Sequence, residues 1–193
     1  MNYRFRMDDE VYVKDRAAWR KWLEKNHDKR QSVWMIIYKK DSGKASVPYD
    51  DAVEEALCFG WIDSKVQSID DERYRQYYSV RKPNSNWSGT NKKRVAKMIK
   101  AGLMTGAGLA AVEVAKANGS WGFLDDIEAM VVPDDLAQAL SKTARSNFDG
   151  FSPSARQGML MWVKSAKRSA TRAKRIGEIA DAVAKGKLPL PYL

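Results

Sequence analysis

The residue types able to do chemistry are few in this chain and stand in separate segments. Cys58 is the only cysteine and His27 the only histidine. A nucleophilic thiol needs a base beside it and positive surroundings that lower its pKa. Cys58 instead closes the acidic run Glu54-Glu-Ala-Leu-Cys58, where a helix C-terminus disfavours a thiolate. The expectation is a buried, structural cysteine. His27 follows Asn26 at a helix end and reads as an exposed terminal residue, not a general base. With one Cys and one His there is no zinc-ligand spacing. Asp50, Asp51, Glu54 and Glu55 carry the charge for a hard cation, but they follow one another along a helix instead of converging from a loop. They read as a solvated acidic face. Lys40-Asp-Ser-Gly-Lys44 lacks the phosphate-loop spacing, and Thr105-Gly-Ala-Gly-Leu109 is too short for a dinucleotide fingerprint. No catalytic residue, metal or cofactor is assigned.

The segment from Arg81 to Lys93 carries more. Lys92, Lys93 and Arg94 fall in the first turns of a helix, where Asp or Glu is normally preferred. Free backbone N–H groups, the Ser88 hydroxyl, Asn91 and the preceding Arg81-Lys82 together outline an anion site, with Ser85 in the loop and Trp87 as an apolar wall. The candidate ligand-binding residues are Arg81, Lys82, Ser85, Trp87, Ser88, Asn91 and Lys92. The bland alternative is neutralisation by acids of residues 50–55 or 70–72.

Charge is unevenly placed along a chain of net charge +10. Asp50, Asp51, Glu54, Glu55, Asp63, Asp70, Asp71 and Glu72 face only Lys65 between positions 50 and 72, while residues 81–100 hold bases and no acid. A second basic group, Arg156, Lys164, Lys167, Arg168, Arg172, Lys174 and Arg175, follows near the end. Helices with such a surface resemble a nucleic-acid binder, yet no aromatic or Asn/Gln row lies beside them to stack on or read bases. A solubilising face is the plainer reading.

These residues need elements to position them. Residues 1–13 alternate weakly (Tyr3, Phe5, Met7, Val11, Val13), as an edge strand or a tail would. Asp15 caps a helix to about His27, and residues 32–40, rich in Trp, Ile, Val and Tyr, form a buried strand before the Asp41-Ser-Gly turn. Pro48 and the pair Asp51/Glu54, with capping-box spacing, open a helix that Gly60 ends. Residues 62–69 and 73–80 make a hairpin around Asp70-Asp71. Ser88 and Thr105 cap two further helices, the second apolar nearly all round and so expected to be buried. Beyond a connector, a short helix at 135–141 and helices opened by Ser152-Pro153 and Ser169 complete the chain.

Several of these segments together resemble a known family. Tyr38-Lys-Lys-x-Ser-Gly-Lys-x-Ser-Val47, Tyr49-x-x-Ala-Val-Glu-Glu-Ala-Leu-Cys-Phe-Gly-Trp-Ile-Asp-Ser64, Arg81-Lys-Pro-x-Ser-x-Trp-Ser88 with Asn91-Lys92, and Trp162-x-x-x-Ala-Lys-Arg168 with Thr171-Arg172 and Arg175-Ile176 are similar to the bacterial YdeI/OmpD-associated (OmdA) family. Ser79-Val80 and Ser169-Ala170 depart from its usual Thr-Pro and Pro-Glu. The resemblance implies bacteriocin protection, with no agreed reaction or catalytic residues. A chain at +10 would repel cationic peptides, so an indirect role is the expectation.

The reading is an α+β fold: a small antiparallel sheet with packed helices over residues 1–132, then a helical region over 133–193. No apolar run approaches a bilayer span and the first residues lack a signal-peptide core, so the expected location is cytoplasmic. The expected function is a bacteriocin-tolerance or stress-associated protein that binds an anionic small molecule or anionic group. The alternatives are a nucleic-acid-associated protein and an enzyme on an anionic substrate with Asp63 as its acid. The sequence sets no oligomeric state.

Overall fold

A computed structural model of the chain describes residues 10–189. Its contacts divide the chain into two compact units, one ending at Gly122 and the other beginning at Phe123. The fold is α+β. Of the N-terminal alternation, Val11 falls in a strand and Val13 follows it, while Tyr3, Phe5 and Met7 lie outside the described residues.

In the first unit, β1 (Glu10–Tyr12) leads into α1 (Arg16–Asn26), whose first turn is capped by the Asp15 carboxylate accepting from Ala18 N at 2.8 Å. The chain returns as β2 (Ser32–Tyr38). A strand-helix-strand return of this kind leaves the two strands parallel, so the sheet is mixed rather than wholly antiparallel. Next come α2 (Tyr49–Cys58), β3 (Trp61–Ser68) and β4 (Arg73–Val80), and the strand order is β1-β2-β4-β3. The hairpin expected around Asp70-Asp71 is present. One face of the sheet sets Val33, Met35, Trp61 and Tyr78 against Trp19, Leu23, Val53, Ala56 and Leu57 of the helices, all nearly devoid of solvent contact.

Helix α2 does not form the expected capping box. It starts at Tyr49 after Pro48, with no side-chain cap, and its acids serve elsewhere. Glu54 and Glu55 are 4% and 1% exposed, so they are not a solvated face. Arg16 reaches Asp51 at 2.7 Å, Glu54 at 2.9 Å and Glu55 at 2.7 Å. Arg20 holds the other oxygen of Glu55 at 2.7 Å, and Lys97 holds Glu54 at 2.6 Å. Burial alone would lower the Arg16 pKa, but the bonds from Glu55 and Glu54 reverse the sign and raise it.

Ser88 caps α3 (Gly89–Lys100) and Thr105 caps α4 (Gly106–Ala117), as the sequence leads one to expect. Helix α4 is not buried all round. Gly108, Val112 and Ala115 are buried, whereas Leu109 and Val114 are 42% and 45% exposed. Its small residues serve close approach on one side instead. A Cβ at Gly108 would stand 2.3 Å from the Cys58 carbonyl oxygen. That same oxygen accepts from Thr105 N at 3.1 Å and Thr105 Oγ1 at 2.6 Å, which satisfies the end of α2.

The second unit is helical: α5 (Asp125–Glu128), α6 (Asp134–Ala139), α7 (Lys142–Gly150), α8 (Pro153–Lys164) and α9 (Ser169–Ala184). Its core centres on Leu136, Phe148, Met159, Val163, Ile179 and Val183. Helix α7 escapes a periodicity reading because only Ala144 and Phe148 of its residues are buried. Helix α9 begins at Ser169, which is its first helical residue and not its cap.

Gly108→Ala should destabilise by roughly 3 kcal/mol in urea unfolding, because backbone atoms cannot withdraw from the added methyl and the clash outweighs the ~1 kcal/mol gain in helix propensity. Gly106→Ala, where nothing lies within 4 Å, should be neutral or slightly stabilising. Glu55→Gln should cost roughly 2–3 kcal/mol, less than a fully buried pair because Arg16 and Arg20 keep 29% and 25% of their side chains exposed. Lys97→Met, at a side chain 62% exposed, should change stability by less than about 1 kcal/mol.

Candidate functional site

Arg81 leaves the end of β4 with its N–H bonded to Gly60 O at 2.9 Å. Its guanidinium lies against Trp87, Cζ 3.7 Å from the ring centroid, and Nη2 donates to Asn86 O at 2.5 Å. The residue is 7% exposed, and its Nε and Nη1 are buried with no hydrogen-bond acceptor. Burial draws its pKa down to about 10, with the charge of Asp63 offsetting part of the effect. It is a buried cation with no carboxylate in contact among the described residues.

The other expected site residues divide into two groups. Trp87 sits between Arg81 and Trp121, ring centroids 5.0 Å from the latter, and Lys92 lies 5.5 Å from the Trp121 ring. Ser88 and Asn91 head α3: Ser88 Oγ accepts from Asn91 N at 3.3 Å, and Asn91 Oδ1 accepts from Arg94 at 3.0 Å. Lys82 is exposed, and Ser85 Oγ donates back to its carbonyl at 3.0 Å, so these two close the turn. Acids of α2 do neutralise the later bases of α3, through Asp50–Arg94 at 2.5 Å and Glu54–Lys97 at 2.6 Å. They do not pair with Arg81.

Beside Arg81 lies a polar group on the helix-covered face of the sheet that the anion-site reading had not included. Asp63 is the cross-strand partner of Tyr78. Near the turn, β3 and β4 pair in a register that would set Asp63 opposite Ser79. An irregularity between Asp63 and Val66 shifts it by one residue and turns Asp63 to the covered face. Asp63 Oδ2 accepts from Tyr49 Oη at 3.0 Å and from Gln76 Nε2 at 2.9 Å. Tyr78 is fully buried and its hydroxyl has no partner among the described residues. Burial, and then the Asp63 charge, push the Tyr78 phenol far above the usual tyrosine range; the same two causes raise Tyr49. Arg94 Cζ stands 5.7 Å from the Tyr49 ring. The hairpin register was the one sequence signal able to find this group, and the bulge obscures it.

Cys58 is fully buried, and burial followed by the Glu55 charge pushes its thiol up to about 11. It is structural. His27 ends α1 with Nδ1 2.9 Å from Leu23 O and packs on Phe59, ring centroids 5.1 Å apart. In the second unit three of the seven bases are closely held: Lys164 by Asp126 at 2.9 Å, Arg172 by Asp135 at 2.6 Å, and Arg175 by the carbonyl of Trp162 at 2.6 Å. A cavity of about 190 Å³ there is lined mainly by Ile127, Val131, Pro133 and Leu160. No helix among the described residues is long and apolar enough to cross a membrane.

The thiol gives a pH prediction. A group held protonated by the fold contributes stability that is complete below its unfolded pKa and disappears as pH climbs toward its folded value. Unfolding free energy should therefore fall from about pH 9 to pH 11 by on the order of 2 kcal/mol. Cys58→Ala should flatten the pH 9–10 portion, leaving the decline at higher pH to which Tyr78 contributes with the same sign. Urea unfolding at stepped pH measures both.

Two family models match the chain. Residues 11–111 match a domain described as Domain of unknown function (DUF8412), and residues 129–186 match OmdA, described as Bacteriocin-protection, YdeI or OmpD-Associated. The motifs at 38–92 that suggest the OmdA family lie within the first match, and those at 162–176 within the second. No curated protein and no solved structure gives a significant match. The chain thus belongs to the family of the Domain of unknown function (DUF8412), whose model takes in just over half of it, and carries an OmdA region over residues 129–186.

Proposed function

We propose that the chain binds an anionic small molecule or anionic group where Arg81 and Trp87 meet the head of α3, and that this binding serves cytoplasmic tolerance to bacteriocins, antimicrobial peptides or a related stress. The tolerance role rests on the description of the OmdA region. The binding role rests on one observation, the buried guanidinium of Arg81 with two nitrogens unpartnered. A charge so placed is costly unless something pairs with it, and an anion would supply the missing acceptor oxygens. Lys92 beside Trp121 and the positive end of the α3 dipole add positive potential on the same side. The nucleic-acid alternative gains less support, since Lys164, Arg172 and Arg175 are engaged within their own unit.

A thermal-shift series with phosphate, sulfate, acetate and succinate tests the binding role. An anion at a hundred times its Kd stabilises by about 2.7 kcal/mol, a Tm rise of roughly 5–10 °C for a chain of this size. Arg81→Met should keep or raise the Tm of the free protein, because it replaces an unpaired buried charge with an apolar chain of similar length, and should abolish the anion effect. Lys92→Glu should weaken it. Stabilisation by none of the four, or stabilisation that survives Arg81→Met, would remove the proposal.

A further inference from the structure

Arg81 is not the only buried donor in the first unit left without an acceptor. The Tyr78 hydroxyl is in the same condition at zero exposure, and the charge of Asp63 acts on both groups. Asp63 is itself held from one side. Tyr49 Oη and Gln76 Nε2 both donate to its Oδ2, while Oδ1 accepts no bond from the described residues. The site therefore offers two kinds of unmet valence around one strand end: donors on Arg81 and Tyr78, and a fixed acceptor on Asp63. Tyr49, 44% exposed at the start of α2, leaves the group open to solvent on that side.

A bare anion satisfies only the first kind, and its charge is opposed by the Asp63 carboxylate. We infer that the site takes a bifunctional ligand, an anionic group for Arg81 and Tyr78 joined to an ammonium or hydroxyl donor for Asp63 Oδ1, as in an amino acid or a hydroxy acid. This deepens the anion-binding proposal and rests on it. Fixed groups of both signs favour such a ligand over a simple anion, because only a ligand that carries a donor offsets the repulsion between a bound anion and the Asp63 carboxylate. Asp63 and Tyr78 are binding residues in this arrangement. No reaction step is assigned to them.

Matched ligand pairs separate this inference from the simpler one. Glycine, β-alanine and 4-aminobutyrate are compared by thermal shift and calorimetry with acetate, propionate and butyrate, and glycolate with acetate. At least one amino or hydroxy member should bind ten-fold or more tightly than its bare partner. Asp63→Asn should erase that preference while leaving binding of the bare anion intact or improved. Tyr78→Phe should weaken both classes without lowering the Tm of the free protein, since the lost hydroxyl has no partner there. Equal binding of each pair to the unaltered protein, or a preference that survives Asp63→Asn, overturns this inference and leaves the anion site standing. Tyr78→Phe that lowers the free protein's Tm and leaves binding unchanged removes the hydroxyl from the site. Binding by no member of either series overturns both.

Discussion

The carboxylates of Glu54 and Glu55 are the constraint on which the first unit depends. Each is almost wholly withdrawn from water, a state that is unfavourable by several kcal/mol unless good partners meet it. Those partners come from two other helices, Arg16 and Arg20 of α1 and Lys97 of α3. A buried ion pair adds little net stability over an apolar pair of the same shape, yet it is costly to separate, so it acts as a positional lock. Sliding α1 by one turn along α2 would leave Glu55 with one arginine in place of two. The lock also reaches the candidate site. It fixes α2 so that Tyr49 meets Asp63, while Asp50 of α2 holds Arg94 of α3, which bonds Asn91 and stands beside the Tyr49 ring.

The basic loop is held as firmly as the helices. Trp87 N bonds to Ser120 O at 3.3 Å, and Asn118 Nδ2 bonds to Pro83 O at 2.8 Å. With Arg81 N on Gly60 O and Ser85 closed on Lys82, the segment between β4 and α3 is tied at both ends and in its middle. A ligand arriving at Arg81 would not have to order it. That preorganisation would reduce the entropic cost of binding.

Local signals made much of this fold legible in the sequence, and long-range ones did not. Apolar strands, the Asp70-Asp71 turn and the caps at Asp15, Ser88, Thr105 and Ser152 act over three or four residues, and each appears where its residues stand. The fate of Glu54 and Glu55 depends on Arg16 and Arg20, more than thirty positions away, so a run of acids on a helix reads the same whether solvated or buried. The small residues of α4 look like a buried helix because composition cannot tell close approach on one side, at Gly108, from burial on all sides. At the site, a basic loop before a capped helix exposes Arg81, Trp87 and Lys92 to inspection. Asp63 enters there only as the acid of the enzyme alternative, and its pairing with Tyr78 stays hidden, because one irregular residue in β3 decides which face Asp63 occupies.

The two unmet donors, Arg81 and Tyr78, raise a question that packing alone does not answer. A tyrosine hydroxyl buried without a partner is unfavourable by about 1–3 kcal/mol compared with phenylalanine in the same place, and a buried guanidinium is worse. Apolar side chains would fit both positions: Tyr78 already packs on Trp19 at 5.2 Å and Arg81 on Trp87 at 3.7 Å. The hydroxyl therefore lowers the stability of the free protein, and of the Arg81 guanidinium only Nη2, on Asn86 O, and the face against Trp87 serve the fold. The buried carboxylates of α2 show what this unit does with charge that the fold itself uses, which is to surround it with partners at 2.6–2.9 Å. Measured against that standard, Arg81 and Tyr78 are unfinished, and the proposed ligand, with acceptor oxygens for them and a donor for Asp63, would supply the missing half.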